Sequence, residues 1–278
     1  MSEITENIRQ EARRLLHDGI VGLVIGYQQG WEQGVVTPCF VTQESQVDKL
    51  VWNDRCTHNL AKYLVGREGL LTSRFKPASE RPRVALVARP ATLLTIVGLI
   101  QEHQFKRENV VVLGIVDDTP VDLQPDVEVG RIDADGKGRA ETLARIQELD
   151  KLSPSERWEW WQHEFSKCVR CYACRQVCPY CYCEECIADE NQPQWIGTSP
   201  SSRNNTTWNA IRAYHLIGRC VNCGECERVC PAEIPLALLN VKMATEVQNA
   251  FEYVAGTDVE AVPALVTFRV NDDDAFIR

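Results

Sequence analysis

The chain is expected to fold as two units of different class: an α/β N-terminal domain built round a parallel βαβ unit, and a smaller α+β domain organised by metal. Three observations point there. A run of apolar β-formers, a helical stretch and a second apolar run follow one another across 84–114. Eleven of the 13 cysteines fall between Cys168 and Cys230, leaving only Cys39 and Cys56 in the first half. The Leu152-Ser153-Pro154-Ser155 stretch lies between, and its Ser-Pro pair interrupts a helical pattern. The expected divisions are therefore 1–152, 153–256 and a tail at 257–278 that carries Asp272, Asp273 and Asp274. A length of 278 residues accommodates two domains at roughly 150 residues each.

Taken in order, residues 4–17 place Ile4, Ile8, Leu15 and Leu16 among charges, which predicts a surface helix. The β-branched run 20–25 before Gly26 and the run 35–41 predict strands, and 45–50 predicts a helix. The clearest unit has a strand at 84–88, a helix over 90–103 opened by Pro90, and a strand at 110–114. Strand, helix and strand at this spacing predict a parallel pair. The loop Arg89-Pro90-Ala91-Thr92 lacks the glycines that let a backbone approach a pyrophosphate, and Gly136-Lys137-Gly138 is too short to replace them. The βαβ unit then reads as a docking and packing domain rather than a nucleotide site. Downstream, helices are expected over 207–217 and 236–253.

The cysteines form two runs of one pattern. Cys168, Cys171, Cys174 and Cys178-Pro179 repeat as Cys220, Cys223, Cys226 and Cys230-Pro231. The spacing C-x2-C-x2-C-x3-C-P is that of bacterial two-cluster ferredoxins. Three thiolates two residues apart can wrap one cubane within a tight loop. The fourth, turned away by its proline, reaches the other cluster. The pattern assigns Cys168, Cys171, Cys174 and Cys230 to one [4Fe-4S] cluster, and Cys220, Cys223, Cys226 and Cys178 to a second. The fold class of this half is thus an α+β dicluster ferredoxin-like domain with a cysteine-rich insert. Zinc is the competing reading, but zinc sites use four ligands, commonly in two C-x2-C pairs, and two crowded loops exceed that. Cys174, Cys178 and Cys181 also fit the triad of radical enzymes that use S-adenosylmethionine. Cys174 and Cys178 are already claimed by the ferredoxin run, and no barrel pattern follows.

Cys181, Cys183 and Cys186 remain. They form either a third metal site, completed by Cys56 ahead of Cys39, or ordinary buried thiols. His163 and His215 are further ligand types nearby. Lys167, Arg170, Arg175, Arg219 and Arg228 flank the ligands. They either raise a negative cluster's potential or are ordinary solvated side chains. Trp158, Trp160, Trp161, Trp195 and Trp208 are expected to shield the domain or form an interface.

Composition narrows the function classes. A net charge of −9 with no basic block argues against nucleic-acid binding. No apolar run approaches the ~18–20 residues of a membrane span. The polar start lacks a signal-peptide pattern, so the expected compartment is the cytoplasm, where 13 cysteines signify metal rather than disulfides.

Cys168–Pro231 resembles a two-cluster ferredoxin domain. The pieces at 38–42, 50–56 and 107–114 are similar to the beta-subunit family of deazaflavin (coenzyme F-420) hydrogenases and formate dehydrogenases, whose relatives accompany heterodisulfide-reductase complexes. That resemblance implies an electron-transfer subunit working with a flavoprotein or metalloenzyme partner. The alternative it leaves open is a flavin- or deazaflavin-dependent oxidoreductase with its cofactor on the N-terminal domain. Neither the loop at 89–91 nor the position after Gly114 carries the cysteine often found there in such proteins, so no redox centre is expected on the βαβ unit itself.

Overall fold

The computed structural model describes residues 2–66, 69–72, 83–133 and 136–264, with only the backbone for 136–140. Helix α1 (Glu3–His17) is started by Ser2, whose hydroxyl accepts the Thr5 N–H at 3.2 Å. Glu3 and Glu6 lie in its first turn and Arg14 and His17 in its last, matching the helix dipole. Its buried face is Thr5, Ile8, Ala12 and Leu15.

Strand β1 spans Leu23–Gln29, later than the 20–25 expected. Residues 18–21 are used to end α1: Gly19 takes φ +63° and the N–H groups of Ile20 and Val21 both return to the Leu15 carbonyl. Gly26 lies inside the strand, where Leu50 leaves no room for a side chain. Strand β2 (Val36–Val41) pairs antiparallel with β1. The helix expected at 45–50 is a 3-10 helix, Glu44–Lys49.

The central unit is parallel, as the spacing predicts. Strand β3 (Val84–Ala88), helix α2 (Pro90–Gln101) and strand β4 (Val110–Val116) follow in order, with Val84 opposite Val110 and Ala88 opposite Gly114. Strand β5 (Val127–Arg131), absent from the sequence expectation, adds parallel to β4. The sheet order is β2-β1-β3-β4-β5. Helix α1 packs on β1, β3 and β5, while α2 and Leu60–Leu64 pack on β3. All five β3 residues are buried, which is why that strand reads as an unbroken apolar run.

The rest is helical. Helix α3 (Gly136–Asp150) is followed by α4 (Pro154–Ser166), which Ser153 and Glu156 start with a reciprocal cap. Then come α5 (Ala173–Val177), α6 (Ser202–Leu216), α7 (Glu225–Arg228) and α8 (Leu236–Phe251). The α+β character expected here takes the form of helices and loops among the described residues. Helix α3 rests on α8 through Ile146, Leu238 and Val241. Residues 257–261 return to the first half: Thr257 accepts the Asp122 N–H, and the Gln101 amide donates to Asp258 and Ala261 carbonyls. The aspartates Asp272, Asp273 and Asp274 lie outside the described residues.

The main apolar core does not stop at the sheet. It takes in Cys178, Tyr180, Leu216 and Val221. Tyr180 lies over Gly98 of α2, where any larger residue would collide with its ring. Glu102 at the end of α2 accepts from Arg219 (2.5 and 2.8 Å) and from the Tyr182 hydroxyl (2.7 Å).

Candidate metal centre

The two cysteine runs share one backbone path. In the first, Arg170 and Tyr172 both have φ +59°; in the second, Asn222 has +56° and Gly224 +75°. The left-handed residues occupy matching places, and each run continues into a one-turn helix, α5 or α7. Left-handed backbone suits glycine and is disfavoured for the other three, so tertiary structure has to hold those turns. Alternation of this kind curls a loop inward and aims successive N–H groups toward its centre.

The curled loops wall two cavities. One is lined by Cys168, Cys171 and Cys174 of the first run together with Cys230 of the second. The other is lined by Cys220, Cys223 and Cys226 together with Cys178. Each run therefore gives three thiols to its own cavity and one to its neighbour's. Among the described residues, no three His, Cys, Asp or Glu side chains close on a point as a single-ion site does; the thiols ring a void instead. Cys174 and Cys178 face different cavities, so the radical-enzyme triad is not assembled.

The cavities differ in setting. In the first set Cys171 is exposed, Cys168 and Cys230 are half-buried and Cys174 is buried; in the second, Cys220 and Cys223 are half-buried and Cys178 and Cys226 buried. Around the first, Tyr172 and Trp208 meet edge to face at 5.0 Å. The Arg170 guanidinium lies over both rings, at 5.3 and 5.7 Å. It donates to the Asn204 carbonyl, the Tyr172 hydroxyl and the Gly197 carbonyl at 2.7, 2.8 and 3.0 Å. Asn205 adds a bond to the Cys168 carbonyl at 2.8 Å. These contacts hold the strained loop against α6. Around the second cavity, the Asn240 amide points at Cys226 Sγ, 3.8 Å away. Burial pushes the Cys220 thiol up to about 11 and Cys226 up to about 12, and raises Cys223 and Cys174 as well. Such thiols keep their protons at neutral pH, so a metal that binds them must displace protons. Cys178 is the exception: the Cys181 thiol, hydrogen-bonded to it, holds Cys178 below the usual range.

The flanking cations are paired rather than merely solvated. Lys167 bonds Glu164, Arg175 grips Asp189 through two bonds, Arg219 bonds Glu102 and Arg228 bonds Glu225. Glu225 is nearly inaccessible and lies 2.5 Å from His58 Nδ1, which links the second loop to the sheet domain. One buried cation escapes the sequence reading. Arg212 on α6 is 4% exposed, lines the second cavity and donates to the Cys174 carbonyl at 3.1 Å. The spacing of Trp208, Arg212 and Leu216, each four residues on, puts it on the apolar face of α6 and is the signal that could have found it.

The remaining thiols do not gather. Cys181 and Cys183 lie on the wall of a separate cleft of about 720 Å³, with Lys62, Tyr63 and Arg175, and Cys186 is not on that wall. Neither Cys56 nor Cys39 lines it. Cys56 is buried beside Asn53, whose N–H approaches its sulfur at 3.4 Å, and Cys39 is buried on β2. His163 and His215 are exposed and line neither four-thiol cavity. Of the tryptophans, Trp208 is buried, Trp161 stacks on Phe165, and Trp158 and Trp195 are exposed.

Residues 164–234 match the family model of the 4Fe-4S dicluster domain. Over its C-terminal region the chain is similar to the F420-dependent formate dehydrogenase subunit beta of Methanocaldococcus jannaschii, 34% identical over 105 residues, which is 38% of this chain and 27% of that protein. It is likewise similar to the F420-dependent formate dehydrogenase 1 subunit beta of Methanococcus maripaludis, 38% identical over 107 residues, again 38% of this chain and 27% of the relative. The chain thus spans about a quarter of the length of these relatives. The family likeness read from segments of the N-terminal half is found in these alignments on the C-terminal region. Among the described residues, no helix is long and apolar enough to cross a membrane.

Proposed function

We propose that the chain is an iron–sulfur electron-transfer subunit of a multi-subunit cytoplasmic oxidoreductase of the hydrogenase, formate dehydrogenase or heterodisulfide-reductase type. The observation that carries this reading is the pair of four-thiol cavities that exchange their fourth cysteine. Cys168, Cys171, Cys174 and Cys230 would hold one [4Fe-4S] cluster, and Cys220, Cys223, Cys226 and Cys178 the other. Bound clusters supply one-electron chemistry, and the protein supplies position and potential. Arg170 and Asn205 keep the first loop in its ligating shape. Glu225, Tyr180 and Arg219 fix the second loop to the sheet domain. The partner is another subunit, a flavoprotein or metalloenzyme, consistent with the word subunit in both relatives' names.

The test is paired. Cys171→Ser and Cys223→Ser should each disturb a different cluster signal in low-temperature paramagnetic resonance. Unchanged iron content and unchanged redox titration in both variants would refute the assignment.

Two finer points belong to the same reading. A third metal site would use Cys181, Cys183 and Cys186, with Cys56 as the candidate fourth ligand. Because Cys56 is buried in the sheet domain away from the cleft wall, we expect the combined change of Cys181, Cys183 and Cys186 to serine to leave iron per chain unaltered; a fall would establish the site. The flavin alternative draws support from a crevice of about 620 Å³ at the carboxyl ends of β3 and β4, where Arg89 and Asp117 face Asn222 and Cys223. That is where open parallel sheets bind ligands, and here it adjoins the second cavity. A flavin absorbance band in gently purified protein would favour it, and its absence from such material would count against it.

A further inference from the structure

We propose that Arg212 is a positioning residue: a buried guanidinium on the wall of the second four-thiol cavity, bonded to the Cys174 carbonyl beside the first, that raises the potential of the second cluster relative to the first. The inference rests on the two-cluster reading and adds to it a residue that tunes one cluster against the other.

Helix α6 runs along both cavities. Trp208 and Asn209 line the first, and Leu216 lines the second. Arg212 lies between them on the same face and lines the second cavity with Cys178, Cys220, Cys223 and Cys226. One end of its guanidinium donates to the Cys174 carbonyl, in the loop of the first cavity, at 3.1 Å. Its Nε–H is buried and has no hydrogen-bond partner among the described residues. An unpaired N–H on a buried charge is costly, and proteins leave few of them. A sulfur acceptor on the cavity side would satisfy it.

The direction follows from charge. A cluster with four thiolates is negative and becomes more so on reduction, so burial disfavours the reduced state, whereas a nearby cation and an N–H donor favour it. The second cavity is the more buried and without help would hold the lower-potential cluster. Glu225 also lines it, but that carboxylate is engaged by Arg228 and His58. Arg212 therefore offsets the burial penalty where it is largest.

The experiment is a redox titration of the whole anaerobic protein, followed by paramagnetic resonance, with the second signal identified by its change in Cys220→Ser. Arg212→Gln, loaded to the iron content of the unaltered protein, should lower the second cluster's reduction constant at least tenfold, ~59 mV for one electron, and move the first cluster less. Arg212→Lys keeps the charge and loses the Nε–H, and should fall between, at threefold or more. Should Arg212→Gln not load, Arg212→Lys decides alone. A second potential unmoved within twofold, or both potentials moving equally, overturns the proposal. Iron-free unaltered protein would instead sink the two-cluster reading, so the two failures are distinct.

Discussion

The two four-thiol cavities have the same ligand spacing and the same left-handed turns, yet they sit in different surroundings. The first sits in a small core with Phe165, Ile196, Trp208 and Ile234, which Cys226 of the second set also joins, and leaves Cys171 exposed. The second is continuous with the main core of the parallel sheet, through Cys178, Tyr180, Leu216 and Val221. One duplicated motif has thus been given two settings by what packs on it: a cavity with one thiol open to solvent, and a cavity sewn to the N-terminal domain. Cys178 and Cys230 each line the cavity of the other run, so neither four-thiol set is complete within its own run.

That coupling is the first thing to break. Cys178→Ser should alter the cluster walled by the second run, and Cys230→Ser the one walled by the first, each crossing over from the run that carries the substitution. Iron analysis with resonance spectra of the two variants checks this, and effects confined to the mutated run's own cluster would contradict it.

Arg170→Met comes next in size. It removes three part-buried hydrogen bonds and the contact with Tyr172 and Trp208, which together hold the strained first loop. The expected loss is about 2–4 kcal/mol. It should show as faster iron loss to a chelator from the first cluster than from the second. Equal rates would mean the loops are not stabilised separately.

The smallest effect is expected at the seam. Gly98→Ala sets a methyl group against the Tyr180 ring. Overpacking of this kind costs about 1–3 kcal/mol. Thermal unfolding should shift down, with the second cluster's spectrum perturbed and the first unchanged. An unshifted melting curve would show that the sheet domain and the second loop are not rigidly joined.

The grouping of thiols round two cavities was legible in the sequence because the pattern is local. The two-residue intervals between thiols and the proline after the fourth state which cysteines can share a loop and which must leave it. The parallel strands were legible for a similar reason: a strand buried on both faces, such as 84–88, cannot hide its apolar run. Local signals failed where a neighbour decided the outcome. Residues 20–21 look like strand, but the end of α1 takes their N–H groups. Strand β5 is short, and only its middle residue, Val129, is buried, so its sequence hardly differs from a loop. Arg212 reads as one more charge on a helix. Its significance arises only when α6 is laid across both cavities, and the same holds for Gly98 beneath Tyr180. For the spare cysteines, clustering in the sequence brings Cys181 and Cys183 to one wall, while Cys56 is buried in the sheet domain and does not line it.

The central claim is that two loops trade their fourth thiolate to hold two neighbouring cubane clusters. Iron and acid-labile sulfide counted per chain on anaerobically prepared protein, with a spectrum of the reduced state, tests it most directly. The account predicts about eight of each per chain and a signal broadened by magnetic interaction between two reduced clusters. Colourless protein, zinc in place of iron, or a single isolated cluster would contradict it.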